Sequence, residues 1–176
     1  MSRLDVEIAR ARENGDKKVS GFTGGVRSLE NVAFEVNEEF TFPTTFDVYE
    51  QYFGDTGKAQ YIWVQIKGTE NVKRFYPSTF SKIRTVYNED GTSTGKRKYT
   101  QGTAAEFYRK FATVEEAMQA LAGKTVKITK LDPVRTLRYG STTVITTQIP
   151  TIDFVDTPTS DTPTSDTATS ADATNA

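Results

Sequence analysis

The sequence predicts a mainly β fold with a helical insertion, an α+β class, followed by a disordered acidic tail. Three observations carry this. Apolar and polar residues alternate with period two both before and after the middle of the chain. Two helix-start patterns, Thr103 to Glu106 and Thr113 to Glu116, fall between those stretches. The last 21 residues contain no Lys, Arg, Leu, Ile, Val or aromatic side chain, so they cannot offset the entropy of ordering and the folded body is expected to end near Val155. The resulting organisation is an N-terminal helix and arm over 1–31, a β-rich binding domain over 32–155 and the tail over 156–176.

The elements follow in order. Ser2-Arg3-Leu4-Asp5 resembles a capping box, and Leu4, Ile8 and Ala11 recur at helical spacing, so a short helix opens the chain and Gly15-Asp16 ends it. Residues 17–31 show no period and read as a loop or arm. Phe34 to Phe42 alternates, with Phe34, Val36, Phe40 and Phe42 on one face of a half-buried strand. Val48, Tyr49, Tyr52 and Phe53 form a second short strand or a turn of helix before the tight connection Gly54-Asp55-Thr56-Gly57. In Tyr61 to Lys67 the residues Ile62, Val64 and Ile66 face a core, which turns Tyr61, Trp63, Gln65 and Lys67 to the other face. Val72 to Tyr76 completes a hairpin across the turn Gly68 to Asn71. Pro77 interrupts, Ile83 to Tyr87 is extended again, Asn88 to Gly95 is a polar hairpin tip, and Lys96-Arg97-Lys98-Tyr99 returns from it. The two capped helices carry Phe107 with Phe111, then Val114, Ala117, Met118 and Leu121, and Gly123 stops the second. Val126 with Ile128, then Val134 to Tyr139 and Thr143 to Ile149 across Gly140-Ser141, supply the last strands.

Strands, a helical segment and more strands match an OB-like five-stranded antiparallel barrel with a helix before its last strands. A β-sandwich with an inserted helical hairpin gives the same order.

Histidine and cysteine are both absent from the 176 residues. That removes His-based acid–base relays, Ser-His and Cys-His nucleophile pairs, disulfides and the usual zinc sites. The nearest acidic cluster, Asp47, Glu50 and Asp55, has no metal-ligand spacing, so no enzyme activity, metal or cofactor is expected. No stretch approaches the roughly 20 apolar residues that span a bilayer, so a soluble protein without a membrane partner is expected.

The net charge of −1 hides an asymmetry: residues 1–66 hold 7 bases and 11 acids, residues 67–110 hold 10 bases and 4 acids, and the tail adds four acids without a base. A basic stripe beside an acidic tail suits a polyanionic ligand with an internal competitor. Single strands are held by stacking on aromatic rings and by Lys and Arg on phosphates. Tyr61, Trp63, Gln65 and Lys67 supply both kinds of group on one face, with Lys73, Arg74 and Phe75 on the neighbouring strand. Lys82, Arg84, Lys96, Arg97, Lys98 and Tyr99 then line a phosphate track, and Arg138 and Tyr139 extend it. The same alternation also admits a second core in which Tyr61 and Trp63 pack under the helices.

The hairpin Tyr61 to Tyr76, the strand Lys124-Thr125-Val126-Lys127-Ile128 after the helix, and the Asp-rich repeats of the tail together resemble, in layout, the single-stranded DNA-binding proteins of bacteria and tailed phages. The resemblance implies single-stranded DNA, or RNA, as partner in a cytoplasmic setting. It also implies replication proteins as partners of the tail, although this tail closes on Ala-Thr-Asn-Ala, where those of the family often end in acidic residues plus an aromatic one. A phage virion or assembly protein is the alternative.

Overall fold

The computed structural model describes residues 2–22, 34–53, 57–138 and 140–155. The expected tail, most of the arm, the 54–56 connection and Tyr139 lie outside them. The described residues form a mainly β, antiparallel structure with three short helices.

Helix α1 (Arg3–Glu13) begins at the expected capping box, with the Ser2 hydroxyl and the Asp5 carboxylate each accepting from the other's backbone. Residues 17–19, read as arm, instead form β1 (Lys17–Val19) against β3. Three residues are too few to show a period. The expected strand from Phe34 shortens to β2 (Glu39–Thr41), because Asn37 takes a positive φ of 70° and turns the chain. Phe34, Phe40 and Phe42 are buried as expected, whereas Val36 is 46% exposed.

Next come β3 (Val48–Phe53), β4 (Gly57–Ile66) and β5 (Val72–Phe75). β4 is the central strand. Its first half pairs with β3, and its second half pairs with β5 and, at Gln65 and Ile66, with β2. A 3-10 turn (Pro77–Ser81) leads to a separate hairpin of β6 (Ile83–Tyr87) and β7 (Ser93–Tyr99). Helices α2 (Thr103–Tyr108) and α3 (Val114–Leu121) precede a long hairpin of β8 (Thr125–Leu137) and β9 (Val144–Phe154). The segments read separately as Val126 with Ile128 and Val134 to Tyr139 are thus one strand. It tolerates Pro133 because β2 pairs only with residues 125–127, leaving β9 as the one neighbour in the main sheet at the proline. The sheet order is β1-β3-β4-β2-β8-β9, with β5 on the side of β4.

Two apolar clusters lie on opposite faces of β4. The larger packs Phe40, Phe42, Ile62, Val64, Phe75 and Phe80 against Met118 and Leu121 of α3 and Val126 and Ile128 of β8. The smaller holds Tyr49, Ala59, Tyr61, Trp63 and Tyr76 beneath Ala11 of α1.

The Thr103 capping box does not form. Gly102 precedes α2 at φ 101°, where a Cβ would collide with the Ile152 carbonyl, and the Thr103 amide donates to Asp153 Oδ1 at 2.8 Å. The Thr103 amide and then the Thr129 hydroxyl hold the Asp153 carboxyl below its ordinary range. A depressed carboxylate stabilises the fold at pH above its unfolded value and loses that contribution as the pH falls through its folded value. Thermal melts are therefore expected to fall on acidification, and Asp153→Asn is expected to flatten that acid limb.

Candidate nucleic-acid interface

The face of β4 expected to stack bases is covered by α1. Tyr61 is fully buried and Trp63 is 9% exposed. The Tyr61 ring stacks on Tyr49 at 5.6 Å and meets Trp63 edge-on at 5.5 Å. Its hydroxyl donates to Asp16 Oδ2 at 2.9 Å, and burial, then that bond, pushes the phenol above its ordinary range. The hairpin register adds a second correction. Trp63 lies opposite Arg74 and Ile62 opposite Phe75, so Phe75 and Lys73 sit on the other face from Trp63, and Phe75 is a fully buried core ring.

The basic residues of this region are largely matched by acids. Lys67 pairs with Glu39 and Lys73 with Glu38, both at 2.6 Å, and Arg74 lies 3.5 Å from Asp16 with its guanidinium over the Tyr61 and Trp63 rings. Lys82, expected on the phosphate track, is 7% exposed at the end of the 3-10 turn, where its backbone accepts from Thr100.

The β6–β7 hairpin presents a different surface. Its register sets Ile83 against Tyr99 and Thr85 against Arg97 on one face, and Arg84 against Lys98 on the other. Tyr99 is 43% and Ile83 52% exposed, an apolar pair across the hairpin with Arg97 exposed on the same face and Lys96 exposed on the other. Neither of those cations has an ion-pair partner among the described residues, and the Tyr99 side chain makes no ring or hydrogen-bond contact among them. Tyr52, also exposed, differs: its hydroxyl donates to Glu50 and Lys17 lies over its ring. The second hairpin stands alongside, linked by Lys98 to Asp132 at 3.6 Å and by Arg135 to Glu89, with Arg138 exposed at its end.

The expected site residues therefore divide. Lys96, Arg97, Lys98 and Tyr99 share one short strand beside Arg84, while Tyr61, Trp63 and Arg74 form a covered cluster elsewhere. Ile83 and Arg135 were not anticipated. The alternation of Ile83 with Thr85, matched against the return strand, would have found Ile83.

Among the acids, Asp47 pairs with Lys18, and Glu50 accepts from Tyr52, Lys58 and Gln60, bonds that lower its pKa, with Tyr52 the largest contributor. Beneath the first turns of α1 runs a cavity of about 820 Å³. No described helix is long and apolar enough to cross a membrane. No protein-family model, curated protein or solved structure matches this chain.

Proposed function

We propose that this chain binds single-stranded nucleic acid without sequence preference, DNA in the first instance, in phage or bacterial replication or recombination. The observation that carries the reading is the β6–β7 face, where the Tyr99 ring and the Ile83 side chain stand open beside Arg97, with Lys96 exposed on the opposite face of the same strand. An exposed ring accepts a base of any identity, and the Arg97 cation beside it meets a phosphate, the two elements of sequence-tolerant strand binding. The β8–β9 hairpin, ion-paired alongside, supplies Arg138 as a further cation.

The finer fold reading is an OB-like barrel. It is supported by β4, which serves two strand groups along its length, and by helices placed directly before the last two strands.

The test is binding of a labelled oligothymidylate by fluorescence anisotropy across a salt series. For single strands log K should fall linearly with log salt, with a slope of about −0.7 per phosphate contacted. Affinity that does not change with salt favours the second reading, a virion or assembly protein whose exposed Ile83–Tyr99 pair is a protein contact. The acidic tail adds an expected outcome. Its four Asp residues change the net charge from −1 to +3 when removed, so deleting 156–176 should tighten binding at low salt and lose that effect at high salt. Equal affinities at low salt would remove the tail from the account.

A further inference from the structure

The surface formed by Tyr61, Trp63 and Arg74 combines two large rings with a guanidinium lying over both, 4.9 Å and 5.7 Å from their centroids. Those are the groups that hold a base and its phosphate. Helix α1 covers them, and three features make this cover weakly seated. Ala11 is the one residue of α1 that is fully buried, and Leu4 remains 39% exposed. The cavity of about 820 Å³ is lined by Leu4 and Ile8 of the helix and by Trp63 and Val72 of the sheet, so the first turns pack incompletely, with Ile8 as their partly buried contact on the cluster. The Trp63 indole N–H is buried with no acceptor among the described residues, an unmet bond that water restores when the helix lifts.

What fastens the cover is the segment just after it. Asp16 accepts from the Tyr61 hydroxyl and lies against Arg74, a carboxylate on the cation that a phosphate would seek.

We propose that the Tyr61–Trp63–Arg74 surface is a second site for single-stranded nucleic acid, opened when the strand displaces α1 and its phosphate replaces Asp16 on Arg74. The proposal rests on the single-strand reading of the β6–β7 face and extends it to a second, covered platform. Binding is then biphasic in origin: the open hairpin engages first, and the strand competes with α1 for the second platform.

The experiment titrates unlabelled oligothymidylate into the full chain and follows Trp63 emission, which reports this surface alone because the chain has one tryptophan. Labelled-oligonucleotide anisotropy is followed in parallel. The expected result is quenching of Trp63 at saturation, with the midpoint moved to about tenfold lower oligonucleotide in Asp16→Ala, a shift within the usual range of coupling between linked equilibria. Asp16→Asn repeats the test with an isosteric side chain, and thermal melts establish that each variant is folded. Binding seen by anisotropy without any Trp63 quenching overturns the covered site and leaves the hairpin reading standing, and so do equal midpoints in wild type and the folded variant. Absence of binding by anisotropy overturns both.

Discussion

Phe75→Ala is expected to lower the stability of the protein by about 3–5 kcal/mol, the cost of removing a buried aromatic ring and leaving its cavity. The ring is fully buried and contacts four other phenylalanines, with centroids 6.3 Å from Phe34, 5.5 Å from Phe40, 5.1 Å from Phe42 and 5.2 Å from Phe80. Such an array cannot close around a missing member without disturbing β2, β5 and the 3-10 turn together. A thermal or denaturant melt without ligand measures the loss. A near-neutral melt would mean that Phe75 is a surface ring and that the β4–β5 register is wrong by one residue.

That register marks where the sequence stopped being informative. The alternation in Tyr61 to Lys67 placed Ile62 and Val64 in a core, and the structure buries both there. Alternation alone, however, says which residues share a face and not whether the second face is covered. The cover is α1, more than forty residues earlier in the chain, and no local pattern reports that approach. The partner strand adds a different ambiguity. Side chains alternate with period two, so sliding Val72 to Tyr76 by one residue exchanges Phe75 for Arg74 beside Trp63. Pairing of Gln65 with Val72, closed by the Ile66 amide on the Asn71 carbonyl, decides the matter.

Helix starts were read well where a side chain caps its own helix, as at Ser2 and Thr113. At Thr103 the helix does start, but without the expected capping box, because its amide is capped by Asp153 from across the fold. The basic run Lys96 to Tyr99 was visible as a run. Its value as a surface depended on Tyr99 pairing with Ile83 and on Arg97 standing opposite Thr85, both of them tertiary facts.

The second large effect concerns that strand. Tyr99→Ala is expected to weaken oligonucleotide binding by about 1–3 kcal/mol, the range for loss of one base-stacking ring, which is about 5-fold to 150-fold in affinity. Because the ring is 43% exposed and makes no ring or hydrogen-bond contact among the described residues, its removal should leave the melting temperature close to that of the wild type. Loss of binding and retention of stability together separate a binding ring from a packing ring, the opposite of the pattern expected for Phe75→Ala.

The most direct measurement is therefore a pair of anisotropy titrations with labelled oligothymidylate at low salt, wild type against Tyr99→Ala, accompanied by melts of both proteins. The account predicts salt-sensitive binding by the wild type and affinity at least about fivefold weaker in the variant, with nearly equal melting temperatures. Equal affinities, or an absence of wild-type binding at low salt, would contradict it.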